Sequence, residues 1–176
     1  MFGDKTYPQC ELISLIKTGA GLSYGIVQPG EEGTGDMGVL RPVDLVDGII
    51  KLEGIKYVDR SIGDQYKRTE LTGEEVLITV RGTTGTTAMS DQRFKGMNVT
   101  RGIAVIRYDG SKVIPEYLNA YLRSSVAQEY IQGHTQGTTL RQINMSDLRK
   151  MPIMLPPRHL QQEYIEFVVQ TDKSKF

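Results

Sequence analysis

Two stretches of this 176-residue chain hold residue types that could do chemistry. In the first, Gly21-Leu22-Ser23-Tyr24-Gly25 fits G-x-S-x-G, the turn that presents a nucleophilic serine in many hydrolases, and Gly19-x-Gly21 begins a dinucleotide-binding fingerprint. In the second, LTGEEVLITVRGTTGTTAMS from Leu71 to Ser90, a strand-like run leads into Arg81, two glycines and four threonines. An arginine fork suits a guanine edge or a phosphate, threonine offers a hydroxyl and a methyl, and glycine lets backbone amides come close. A solvated hairpin whose threonines are simply β-formers has the same composition.

The enzymatic readings depend on the elements around them. A nucleophile elbow needs a strand, a strained turn and then a helix whose first amide helps to bind an oxyanion. After Gly25 comes Ile-Val-Gln-Pro-Gly-Glu-Glu-Gly-Thr-Gly, in which Pro29, Gly30, Gly33 and Gly35 forbid that helix. His134 or His159 completes a Ser, Asp, His order, but nothing pairs either with a carboxylate. The dinucleotide fingerprint needs glycine where Tyr24 stands, and no G-x-x-x-x-G-K-[ST] loop exists. With Cys10 as the single cysteine, no internal disulfide can form, and no metal site is expected from it and two histidines. The chain therefore reads as non-catalytic. A small serine hydrolase using Ser23 is the alternative of another class, and a ligand-binding β-barrel is a third.

Hydrophobic residues make up 39% of the chain, enough for one domain with a real core. No run of about 18 apolar residues is present, and the segment MFGDKTYPQC lacks the build of a signal peptide, so a cytoplasmic protein without a membrane span is expected. Twenty-one Lys and Arg balance 21 Asp and Glu, which argues against coating nucleic acid through charge alone. Basic residues nevertheless dominate the middle, with Lys56, Arg60, Lys67, Arg68, Arg81, Arg93, Lys95 and Arg101.

The glycine-rich segment 19–38 predicts turns and short strands. Runs at 49–52, 55–58, 76–80 and 103–107, each bounded by Gly, Asp or Ser, predict strands of a sheet or partly closed barrel. A helix is predicted from Pro115 with Leu118, Leu122, Val126 and Tyr130 at i, i+4 spacing, stopped by Gly133. A short helix from Ser146 and Asp147 ends before Pro152, and a last amphipathic helix covers 158–176. The apolar arc of that last helix is wide, and it either packs on its own domain or meets a partner.

The order of these features resembles one target-recognition half of a Type I restriction-modification specificity subunit. Gly19 to Gly25 with Ile26-Val27 is similar to the family's opening glycine-rich turn and strand. Gly73-Glu74-Glu75-Val76-Leu77-Ile78 and the Gly82-Thr83 turn resemble its Gly-Asp-hydrophobic strand, with two glutamates where the family often has one aspartate. Ile114-Pro115-Glu116-Tyr117-Leu118 is similar to its proline-led helix, and Gly137-Thr138-Thr139 with Gln142-Ile143-Asn144 to its Gly-Thr loop. Leu155-Pro156-Pro157-x-x-x-Gln161 resembles the segment that opens its spacer helix.

The resemblance implies an α+β target-recognition domain over 1–155, with a twisted sheet or partly closed β-barrel plus helices, and a C-terminal spacer or dimerisation helix over 156–176. It implies an adaptor that reads double-stranded DNA and docks modification methyltransferase subunits, which bind S-adenosylmethionine, so this chain needs no cofactor of its own. A restriction translocase subunit is a further implied partner. Because one half is present, a homodimer reading an inverted repeat is expected. A recognition module split from a fused restriction-methylation enzyme is the alternative. The expected DNA contacts are Arg81, Thr83, Thr84 and Thr86, with Arg60, Lys67, Arg68, Arg93 and Lys95 as neighbours. The expected partner contacts are Leu160, Tyr164, Phe167 and Val168. The last helix, roughly 28 Å long at 1.5 Å per residue, is shorter than the family's spacer. That leaves a weaker dimer, a closer half-site spacing and a truncated chain all open.

Overall fold

The computed structural model describes residues 7–28, 30 and 35–173. The apolar run after Glu75 has no polar alternation, the pattern of a strand buried on both faces, and it forms β7 (Val76–Thr79) inside an antiparallel sheet. The sheet order is β2 (Ser23–Tyr24), β11 (Ile103–Ile106), β7 and β9 (Thr87–Met89). Side chains alternate along each strand between two apolar clusters. Val76, Ile78, Ala104 and Ile106 face a cluster containing the helices, and Leu77, Ile103 and Val105 face one containing Leu40, Phe94 and Val99.

Among the described residues there are four smaller sheets besides this one. In one, β3 (Met37–Leu40) lies between β10 (Asn98–Val99), which is parallel to it, and antiparallel β6 (Lys56–Val58). In another, β13 (Arg141–Ile143) pairs with both β12 (Thr135–Gln136) and β8 (Arg81–Gly82), the latter an excursion from the β7–β9 connection. A hairpin joins β4 (Leu45–Val46) to β5 (Ile49–Ile50), and β1 (Gln9–Glu11) runs antiparallel to β14 (Pro152–Met154). The α+β class holds, and the sheets among the described residues are open rather than closed into a barrel.

The helices are α1 (Arg60–Asp64), α2 (Pro115–Leu122), α3 (Ser125–His134), α4 (Met145–Arg149) and α5 (Arg158–Lys173). The single helix predicted from Pro115 to Gly133 is therefore two. Ser124 leaves the helical region with ψ 157° and its hydroxyl accepts from the Ala127 amide at 3.3 Å, starting a new helix. Leu118 and Leu122 are buried, but Val126 is 39% exposed, because Ala127 and Ile131 carry the inner face of α3. Gly133 lies inside α3 rather than ending it. Ser124→Ala should cost about 1 kcal/mol of stability in urea unfolding, the usual worth of an N-cap.

Tyr117 and Tyr121 on α2 reach across to the β14 segment, their hydroxyls donating to the carbonyls of Met154 at 2.7 Å and Pro152 at 3.2 Å. Burial pushes the Tyr117 phenol far above its ordinary value, so it remains a neutral donor. α5 opens as a clamp on the same domain. Gln161, 2% exposed, accepts from the Ile114 amide and donates to the Pro156 carbonyl. Tyr164 meets Tyr117 edge-on with centroids 5.9 Å apart. The first half of the predicted arc thus packs on its own domain, while Phe167 and Val169 remain 58% and 46% exposed. The predicted last turn, 174–176, lies outside the described residues.

Candidate nucleic-acid interface

Backbone pairing between distant segments brings the principal polar cleft together. The amides of Val80 and Arg81 both approach the Gly102 carbonyl, at 2.8 and 3.4 Å, which sets Arg81 beside Arg101. The Arg101 amide donates to the Ile26 carbonyl at 2.8 Å, bringing in the β2 segment, and Gln142 sits opposite Arg81 in the β8–β13 register. The result is a cleft of about 260 Å³ lined by Tyr24, Val27, Arg81, Arg101, Gln142 and Asn144, with Val80 and Ile143 also in its wall. Tyr24 is 47% exposed and Val27 40%. Neither Arg81 nor Arg101 has an ion pair among the described residues.

Tyr24 is also the wall of an adjoining cleft of about 370 Å³, lined by Ser23, Gln65, Tyr66, Lys67, Arg68 and Thr69. Its basic turn is anchored from below. The Thr69 hydroxyl donates to the Asn98 side chain at 2.8 Å, and the Asn98 amide donates to the Tyr66 carbonyl at 3.1 Å. Arg107 donates to the carbonyls of Arg68, at 2.5 Å, and Glu70. The Arg107 Nε lies 3.5 Å from Oε1 of Glu75 and has no hydrogen bond, so this contact is a charge pairing rather than a hydrogen bond.

Of the two glutamates where the family pattern has one acid, Glu75 is the inner one, 1% exposed, whereas Glu74 faces solvent. Its carboxylate accepts from the amides of Thr72, Gly73 and Glu74 and from the hydroxyls of Thr72 and Ser90 at 2.6 to 3.1 Å. Burial pushes the carboxyl up, but the bonds from Ser90, Thr72 and Glu74 together outweigh it and hold the pKa below the usual carboxylate value.

The expected DNA-contacting residues separate into groups. Arg81 lines the first cleft, and Lys67 and Arg68 line the second, with Lys67 also 3.3 Å from Asp64. Arg60 lies 3.4 Å from Asp36 at the start of α1. Arg93 is folded back. Its guanidinium donates to both oxygens of Asp91 at 2.7 to 3.1 Å, holding that carboxyl below its ordinary value, and covers the Phe94 ring at 5.5 Å. Lys95 is exposed at the end of the same turn. Thr83 is exposed, the Thr84 hydroxyl accepts from Thr135 at 3.0 Å, and the Thr86 amide donates to the Thr79 hydroxyl, so the loop's own bonds fix the backbone that presents these threonines.

Arg101, Gln142 and Asn144 were not singled out as contacts by sequence reasoning. Arg101 belonged to the basic middle and Gln142-Ile143-Asn144 to the quoted Gly-Thr loop, which were the available signals. Ser23 has no elbow around it. It lies in β2 opposite Val105, and Gly25 and the Ile26–Thr100 bridge follow it instead of a helix. Of the residues expected to forbid that helix, Pro29 and Gly33 lie outside the described residues. Gly25 fits the motif for a packing reason, because a Cβ there would stand 1.9 Å from the Val99 carbonyl oxygen. His134 stacks on Tyr130 at 3.9 Å, and no histidine lines either cleft. No helix among the described residues is long and apolar enough to cross a membrane.

Residues 31–176 match the family model described as Type I restriction modification DNA specificity domain. The chain is 27% identical over 159 residues to the Type I restriction enzyme EcoBI specificity subunit of Escherichia coli, covering 90% of this chain and 33% of that protein. Its fold is similar to the HsdS subunit from Thermoanaerobacter tengcongensis, with TM-score 0.68, 16% identity and coverage of 97% of this chain and 38% of the other. The Type-I restriction-modification system S subunit from M. genitalium gives TM-score 0.61 at 15% identity, covering 97% and 40%. This chain thus spans two fifths or less of the length of these relatives. With a family model matching most of its length and the same fold in two such subunits, the chain belongs to the Type I restriction modification DNA specificity domain family.

Proposed function

We propose that this chain is a DNA-reading half of a Type I specificity subunit, acting in the cytoplasm without a catalytic step of its own. The observation that carries the reading is the pair Arg81 and Arg101, held side by side without an ion pair among the described residues, in a cleft that continues past Tyr24 to Lys67 and Arg68. Free guanidinium forks beside an exposed aromatic suit base edges and phosphates. Such a local face is compatible with a net charge of zero, since partners in the complex share the phosphates.

Residues 1–155 form the recognition domain in this reading and 156–176 the spacer helix. A modification methyltransferase subunit supplies S-adenosylmethionine and methyl transfer, and a restriction translocase subunit joins the same complex. A second copy of the chain completes a two-fold site. Leu160, Phe167 and Val168 meet the partner helix, whereas Tyr164 is already engaged by Tyr117. Support for that pairing is the exposure of Phe167 and Val169 in the second half of α5, beyond the Tyr164 contact with α2.

The test is co-purification with a candidate methyltransferase from the same genome, followed by sequencing of methylated positions in cells carrying both. A discrete methylated motif that appears only when this chain is present is expected. Methylation without sequence preference, or a motif unchanged by deleting this chain, defeats the proposal.

A further inference from the structure

We infer that the recognition sequence is read by a cross-strand pair, Arg81 and Gln142, assisted by Asn144, so that the half-site contains a G·C pair next to an A·T pair. This rests on the reading of the chain as a DNA specificity domain and goes beyond it by assigning base-reading roles.

The argument begins with register. Arg81 on β8 and Gln142 on β13 are direct antiparallel partners, so their side chains leave the same face of the sheet, and both line the cleft. The next pair in that register, Gly82 and Arg141, sends its side-chain direction to the other face. The same register places the turn after Gly82 and the exposed Gly137–Leu140 turn together at one end of the three-stranded sheet, close to the pair.

The amides supply the second argument. Gln92, Gln128, Gln132, Gln161 and Asn98 all bond through their side chains to other parts of the protein. Gln142 and Asn144, like Gln65 and Gln136, have no such side-chain bond among the described residues, but unlike those two they line the cleft beside the two arginines. A cleft that only held phosphates would need donors. A carboxamide carries a donor and an acceptor together, which matches the N6 amino group and N7 of adenine, as an arginine fork matches O6 and N7 of guanine. Lys67 and Arg68, on the far side of Tyr24, are then placed to hold the backbone and set register without carrying sequence information.

The test is selection from a randomised double-stranded DNA library by the full chain, bound with its methyltransferase partner, and by the variants Arg81→Ala, Gln142→Ala, Gln142→Glu, Asn144→Ala and Lys67→Ala. Melting temperatures of each variant report folding separately. Expected is a loss of guanine preference at one position for Arg81→Ala and of adenine preference at the neighbouring position for Gln142→Ala, each by about tenfold or more. Gln142→Glu should move that second position toward cytosine, whose N4 amino group a carboxylate accepts from. Lys67→Ala should weaken all sequences alike. Folded Gln142 variants that select the parent sequence, or that weaken every sequence equally, overturn the inference while leaving the DNA-reading function intact. If the parent complex selects nothing, the functional reading itself falls.

Discussion

Glu75→Ala is expected to unfold about 3–5 kcal/mol more readily than the parent chain, a large part of the about 5–15 kcal/mol that holds a typical domain together. The change removes the acceptor for three amides and two hydroxyls and leaves the Arg107 charge without its neighbour. Leaving buried donors and a charge unmatched accounts for that size, because the missing partner is not replaced by water. Urea unfolding followed by circular dichroism measures it. An effect under about 1 kcal/mol would mean that water reaches the site and that Glu75 is not an organising centre.

The same residue gives the protein an acid sensitivity. Since the folded-state pKa of Glu75 is lowered from 4.5, the unfolded chain binds the proton more tightly between the folded value and 4.5. The stabilisation is present in full above about pH 4.5 and drains away as the pH falls through the folded value. Glu75→Gln should flatten this portion of the stability profile. Through Arg107, the loss should also reach the basic turn, loosening Lys67 and Arg68 before the domain as a whole unfolds.

The second large effect concerns binding. The double variant Arg81→Ala, Arg101→Ala is expected to lose about a hundredfold or more in affinity for the recognised DNA, from two contacts worth about 1–3 kcal/mol each. Melting should hardly change, because neither side chain has an ion pair among the described residues and Arg101 is exposed. Fluorescence anisotropy against the recognised duplex and a scrambled one, at stated salt, separates the specific part from the general attraction of charge. Arg93→Ala provides the contrast. With its fork already occupied by Asp91, it should leave affinity within about twofold.

Local chemistry carried much of the fold into the sequence. The strands at Val76 and Ile103 were visible as apolar runs, and the proline that opens α2 announced its own position. The break at Ser124 was hidden because the i, i+4 stripe continues through it. A serine hydroxyl that caps the second helix leaves no trace in hydrophobic periodicity. The site was legible only where a single residue type was suggestive, as at Arg81. Arg101 and Gln142 join it through pairings across some twenty and sixty residues of chain, which no local pattern encodes. The threonines are ambiguous for a related reason, since a hydroxyl fit for a phosphate is equally fit to hold a turn together, and that of Thr84 also accepts from Thr135. The wide arc of α5 likewise did not reveal which side its own domain would take, a matter settled by Tyr117.

The pairing of β1 with β14 has a bearing on how such domains can change. Gln9 lies opposite Met154, so the segment between β1 and β14 starts and finishes at one spot, with α5 beginning directly beyond. Everything between behaves as a cassette with a single two-stranded stem. Because α5 is also held from inside that segment, by Gln161 on the Ile114 amide and Tyr164 on Tyr117, an exchanged segment would keep the following helix in place only if it brought the same two contacts.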